Sequence, residues 1–211
     1  MTIKPILFNT EMVRAILEGR KSCTRRLVKP QPGGKHTFPL GFVTDSTEKK
    51  EVGCFGFAAN EYGGSIQYVK PPYRYAPGDI LYVRETWCKG LKRYIYRADY
   101  SDTEKFYRNG KEIEMKWHPS IHMPKEAARI WLRVTDVRVE RLQDITINDI
   151  RREGLSSVAV HAGDMEIALE EWKMLWNSTI KKADIDRYGW DASPYVWVVE
   201  FERCEKPTYM S

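Results

Sequence analysis

The chain has 211 residues, 42% of them apolar, enough for a folded globule with its own core and too many for wholesale disorder. Its 34 basic and 29 acidic residues leave a net charge of +5, which permits contact with phosphates but lacks the dense stripe of a dedicated duplex binder. The opening MTIKPILFNTEMV has no long apolar run, and no stretch approaches the roughly 18 apolar residues of a membrane span, so the reading is a cytoplasmic protein without leader or anchor.

Residues 3–8 read as a first strand. Thr10 then offers an N-cap, Met12, Val13, Ile16 and Leu17 follow at helical spacing, and Gly19 sits where a helix should stop. Residues 29–78, bounded by PQPGG and KPPYRYAPGD, read as a long connection with weak strands near 40–44, 52–58 and 65–70. Residues 80–87 alternate, with Leu81, Val83, Glu85 and Trp87 on one face. A short strand follows at 94–98, then an irregular segment at 101–126. Residues 129–142 alternate over a run long enough for a bent strand, with Ile130, Leu132 and Val134 on one side. Thr146 with Asp149 forms an approximate capping box for a short helix that ends at Glu153-Gly154. A second helix spans about 164–180, and its stripe of Ala168, Trp172, Leu175, Trp176 and Thr179 reads as core packing. Residues 195–203 make the last strand, and the tail 205–211 is expected to fray. Helices set at intervals on a mostly antiparallel sheet predict an α+β fold, a small barrel with helices at its openings.

Four places carry candidate chemistry. The segment Gly19–Arg26 presents Lys21, Thr24, Arg25 and Arg26 just past a helix end. A lysine acts as base or nucleophile only when deprotonated, which burial and neighbouring cations promote. The plain alternative is a solvated basic helix end. Glu85 points where the core should be, so it needs a partner, for which an arginine at 25–26 is the expectation. Trp87, two residues on, is placed to stack on a ring. Glu153 sits at a helix C-terminus, a position suited to acid–base work, though most such glutamates are surface groups. Finally, WHPSIHMP holds His118 and His122 four apart, but Pro119 breaks the helix that would make them a metal pair. The reading is therefore no metal and no cofactor, and a rigid loop bearing Trp117, Ser120 and His122 that either overhangs a cleft or is purely structural. Cys23, Cys54, Cys88 and Cys204 have no CxxC spacing and read as reduced thiols.

ILEGRKSCTRR resembles the signature of ASCH domains, Gly-x-Lys-x-x-[Glu/Thr]-x-Arg after a first helix, here on Gly19, Lys21, Thr24 and Arg26. PGDILYVRETW, RIWLRVTDVRVERLQDIT with REGL, WHPSIHMP and WDASPYVWVVEF continue the likeness to a long form met in phages and prophages. It covers most of the chain and is weakest over 31–75 and 99–114. The resemblance implies one PUA-like domain over residues 1–211, with insertions at about 29–78 and 99–126. It also implies partners among nucleosides, nucleotides or RNA. One ASCH subgroup hydrolyses the amide of acetylated cytidine with a lysine, a threonine and a glutamate, which fall here on Lys21, Thr24 and Glu153. Arg25, Arg26, Glu85, Trp87, Trp117, Ser120 and His122 are the expected substrate contacts. The alternatives are a non-catalytic RNA or modified-base binder, and a metal-independent ribonuclease using Lys21, His122 and Glu153.

Overall fold

A computed structural model describes residues 2–91 and 93–208; of the tail expected to fray, residues 209–211 lie outside the described residues. The elements run β1 (Ile3–Leu7), α1 (Thr10–Leu17), β2 (Cys23–Leu27), β3 (Phe38–Phe42), β4 (Phe55–Ala58), β5 (Ile66–Val69), β6 (Ile80–Arg84), β7 (Trp87–Lys89), β8 (Tyr94–Tyr96), β9 (Phe106–Arg108), β10 (Lys111–Ile113) and β11 (Trp131–Arg141). They close with α2 (Ile147–Arg152), α3 (Val158–Ala162), α4 (Met165–Ser178), α5 (Ile185–Tyr188) and β12 (Tyr195–Cys204). The fold is α+β, centred on a five-stranded sheet of order β1-β6-β11-β12-β2 in which only the β1–β6 pair is parallel.

Alternation explains how this sheet buries both faces. On one side Leu81, Val83, Leu132, Val134, Trp197 and Val199 pack with α1 and with Phe55, Phe57 and Val69 of a separate β3-β4-β5 sheet. On the other, Val196 and Val198 meet Ile150, Ala168, Trp172 and Trp176 of α2 and α4. Each such side chain contributes roughly 1.5–3 kcal/mol through its removal from water. A bulge between Val134 and Asp136 bends β11. At the far end, Met123, Ala127 and Ala128 cover Ile80 and Trp131.

Three expectations need correction. The five-stranded sheet is not closed into a barrel: β1 and β2 are its two edges, and among the described residues no ladder joins them. The edges are linked instead by a side chain, Arg26 Nη2 donating to Leu7 O at 2.9 Å. A side chain spans a gap that a backbone ladder, at about 4.8 Å between strands, cannot. The cap of α1 is Asn9, whose Oδ1 accepts from the Met12 amide at 2.8 Å, not Thr10. Both residue types cap helices well, and the extended backbone of Asn9 (φ −76°, ψ 171°) decides between them. The segment 101–126 is less irregular than expected, since it holds the β9–β10 hairpin.

All four cysteines are free, Cys23 and Cys54 buried and Cys88 and Cys204 half-buried. Burial, reinforced by the nearby Glu153 carboxylate, pushes the Cys23 thiol up to about 12. Since the thiolate is the reactive form, Ellman's reagent at pH 8 should titrate two thiols in the native protein and four in guanidinium. Rapid reaction of three or more native thiols would contradict this burial.

Candidate functional site

Lys21 and Glu153 lie 132 residues apart in sequence and are brought together by two helix ends. Helix α1 stops at Glu18, and Gly19 turns the chain with φ +77°, a conformation open to glycine without steric cost. The Arg20 and Lys21 amides then bond back to Ala15 O at 2.9 and 3.1 Å. Helix α2 begins with the full Thr146–Asp149 capping box and ends at Glu153, with Gly154 at φ +97°. Glycine is required there twice over, because a Cβ would sit 2.8 Å from Ala15 Cβ and 3.1 Å from Lys21 Cβ. The two turns are clamped by Ser22 N donating to Arg152 O at 2.9 Å and by Arg20 Nη1 donating to Gly154 O.

The result is a buried charge network. Lys21 Nζ donates to Glu153 Oε2 at 2.7 Å and to Glu153 O at 2.9 Å, and the Lys21 side chain has 0% exposure. Glu153 Oε1 lies 3.3 Å from Arg25 Nη1, and Arg25 Nη2 reaches Glu140 at 3.1 Å and Asp149 at 3.6 Å. Each buried charge thus has a partner, as a low-dielectric interior demands. The Asp149 carboxyl is held below its usual range: burial works against this and is outweighed by the Thr146 hydrogen bonds and the arginines. On the outer side, Arg152 and Arg138 both bind Glu200.

Beside this network opens a cleft of about 240 Å³, bounded by the α1 region, the edge strand β2, the end of α2 and α4. Asn9, Met12 and Ala15 of the α1 region form one wall, Glu153, Gly154 and Leu155 another, and Trp172, Leu175, Trp176 and Thr179 of α4 the third. Thr24, Arg25 and Arg26 line it together because β2 is an edge strand, so side chains from both its faces reach the opening. Thr24 is 1% exposed and lines the cleft between the helix ends. The tryptophans differ: Trp176 Nε1 donates to Tyr188 O at 2.9 Å, whereas the buried Trp172 Nε1 has no acceptor.

Of the sequence-predicted contacts, Thr24, Arg25, Arg26 and Glu153 line this cleft, Lys21 lies directly behind Glu153, and the others do not line it. Glu85 is paired not with Arg25 or Arg26 but with Arg129, in a two-pronged bond of 2.9 and 3.0 Å. The reason is topological: Arg129 precedes β11, which lies next to β6 in the sheet, while β2 is at the opposite edge from β1. Trp87 leaves the β6 face to start the β7–β8 hairpin and stacks on His118, ring centroids 5.1 Å apart. Trp117 packs on Tyr100 and Phe106. Ser120 and His122 form a 3-10 turn whose Ile121 and Met123 carbonyls are held by Arg84. Residues of α4 were missed as cleft walls, since their stripe is wide enough to serve the core and the cleft at once.

No metal-binding group of His, Cys, Asp or Glu occurs among the described residues, and none of their helices is long and apolar enough to cross a membrane. No family profile and no curated protein matches the chain. The chain is similar to a crystal structure of an ASCH domain from Lactobacillus crispatus JV V101, at 11% identity, with 96% of this chain and 79% of that chain covered and a TM-score of 0.36.

Proposed function

We propose that the protein is an amide-cleaving hydrolase acting on a modified nucleoside or nucleotide such as acetylated cytidine. The observation that carries this reading is the Lys21–Glu153–Arg25 network buried beside a small cleft onto which Thr24 opens. A cleft of about 240 Å³ lies below the roughly 300–1,000 Å³ of drug-sized sites, which suits one base-sized ring better than a polymer strand. Apolar walls from Met12, Leu155, Leu175 and the two tryptophans fit the faces of such a ring. The ASCH-like signature on Gly19, Lys21, Thr24 and Arg26 supports the same chemistry.

In this reading Thr24 orients a water against the acyl carbon. Glu153 takes a proton from that water as the C–O bond forms, and Lys21, 2.7 Å away, anchors the carboxylate and shares the proton. Collapse of the tetrahedral adduct breaks the C–N bond, and the proton passes to the leaving nitrogen. The products are the free amine and a carboxylic acid. Lys21 has no exposed side-chain surface, which favours this activating role over direct attack. The ribonuclease alternative calls for His122 beside Lys21 and Glu153, and His122 does not line the cleft.

The test is hydrolysis of acetylated cytidine and a panel of acylated nucleosides, read by mass spectrometry, with Thr24→Val as the variant. Turnover that falls at least a hundredfold in Thr24→Val, with the melting temperature kept, is the expected result. Binding of the same compounds without any turnover would replace the hydrolase with a modified-base binder.

A further inference from the structure

The hydrogen-bonding polarity of the cleft is lopsided. Both oxygens of Glu153 are engaged, one by Lys21 and one by Arg25. The donors are in surplus. Arg25 Nε and Trp172 Nε1 are buried without an acceptor, although their residues are 3% and 4% exposed and both line the cleft. Arg26 spends one N–H on Leu7 O and has no carboxylate within salt-bridge distance among the described residues. Its neighbour on the strand, Arg25, has three, and Arg26 lies instead over the Phe8 ring, 5.6 Å from its centroid. Glu11, the other acid on the cleft, is taken by Arg14.

Unpaired buried donors and an unneutralised, half-buried guanidinium each cost free energy that an acceptor from outside removes. Guanidinium groups pair best with the oxygens of carboxylates and phosphates. We propose that the ligand of this cleft is anionic and rich in acceptors, held at its charged oxygens by Arg26. Resting on the hydrolase reading for the ring, the substrate is then a nucleotide carrying a phosphate rather than the free nucleoside.

The experiment is a titration of cytidine, cytidine 5′-monophosphate and inorganic phosphate into the full chain, followed by tryptophan fluorescence from the cleft walls and by calorimetry. Wild-type protein, Arg26→Gln and Arg26→Lys are compared, with folding checked by circular dichroism. The monophosphate should bind at least tenfold tighter than cytidine. Arg26→Gln should erase that preference while changing cytidine affinity less than about threefold, and Arg26→Lys should keep part of it. Equal affinity for the two compounds, no binding of either, or phosphate binding as tightly as the nucleotide would overturn the proposal. So would an Arg26→Gln variant that loses turnover but keeps the preference, since Arg26 would then act on the reacting carbonyl. The two readings fail separately. A phosphate preference without hydrolysis of the acetylated nucleotide removes the hydrolase and leaves the anion site. Hydrolysis without a preference does the reverse.

Discussion

Lys21→Ala should lower the unfolding free energy by about 3 kcal/mol and abolish activity. Removing one partner of a buried ion pair typically costs about 3–5 kcal/mol, because the other charge stays behind without compensation. The lower end applies, since Arg25 still stands 3.3 Å from Glu153 once the lysine is gone. For a chain of this size each kcal/mol moves the melting temperature by roughly 2–4 °C, so a drop on the order of 10 °C is expected. The double variant Lys21→Met with Glu153→Leu separates charge from packing. It removes both members of the pair and leaves Arg25 with Glu140 and Asp149. It should therefore be more stable than Lys21→Ala, yet equally inactive. A loss below about 1 kcal/mol in Lys21→Ala would mean that bulk solvent already screens the Lys21–Glu153 pair, which its 0% and 3% side-chain exposures exclude. A pair retained in the interior despite its desolvation cost is what a proton-handling site requires and a purely structural core does not.

Local signals carried much of this arrangement. Gly19 marked the end of α1, and the Thr146–Asp149 capping box fixed the start of α2, so the neighbourhoods of Lys21 and Glu153 were readable as two helix ends. Their convergence was not readable, because it depends on Ala15 packing against Gly154 and on Ser22 bonding to Arg152, contacts with no local signature. Alternation in 129–142 announced β11 and its buried face. It gave no warning that the sheet stays open, since closure depends on how far apart the edge strands end. The weak strands expected near 40–44, 52–58 and 65–70 are β3, β4 and β5, but the glycine and proline across 29–78 masked their role in the core, where Phe55 and Phe57 are as buried as the central strands. Glu85, Trp87, Trp117, Ser120 and His122 lie away from this cleft for one reason. Each was recognised by its own chemistry, and nothing in a single chain says which face of the fold that chemistry meets.

Glu85 shows what it does instead. It is 1% exposed and held by Arg129, which also pairs with Asp99 at 2.7 Å and stacks on the Tyr96 ring at 4.0 Å. Burial raises the Glu85 pKa above its usual range, and the Arg129 hydrogen bonds and charge only partly oppose it. A carboxyl whose folded pKa is raised binds its proton more tightly in the native state. Its contribution to stability is therefore complete below the unfolded value, about 4.3, and is lost as pH rises through the folded value. Arg129→Ala removes the opposing cation, so the folded pKa climbs further and the loss grows. At pH 8 this variant should be about 3–5 kcal/mol less stable than the wild type, the cost of an unpaired buried carboxylate. Below the unfolded value, near pH 3.5, the gap should shrink to about 1–2 kcal/mol, since a carboxyl raised by burial is then protonated and only the stacking and the Asp99 pair are missing. Both proteins must be compared at each pH. Glu200, held low by hydrogen bonds from Arg152, destabilises either of them as its carboxylate is protonated in acid. Denaturant unfolding at the two pH values reads the difference. Adding Glu85→Gln to Arg129→Ala should remove the pH dependence of the gap and recover part of the loss at pH 8. A gap that stays constant with pH would show that Arg129 acts through packing on Tyr96, and that Glu85 keeps its charge by another route.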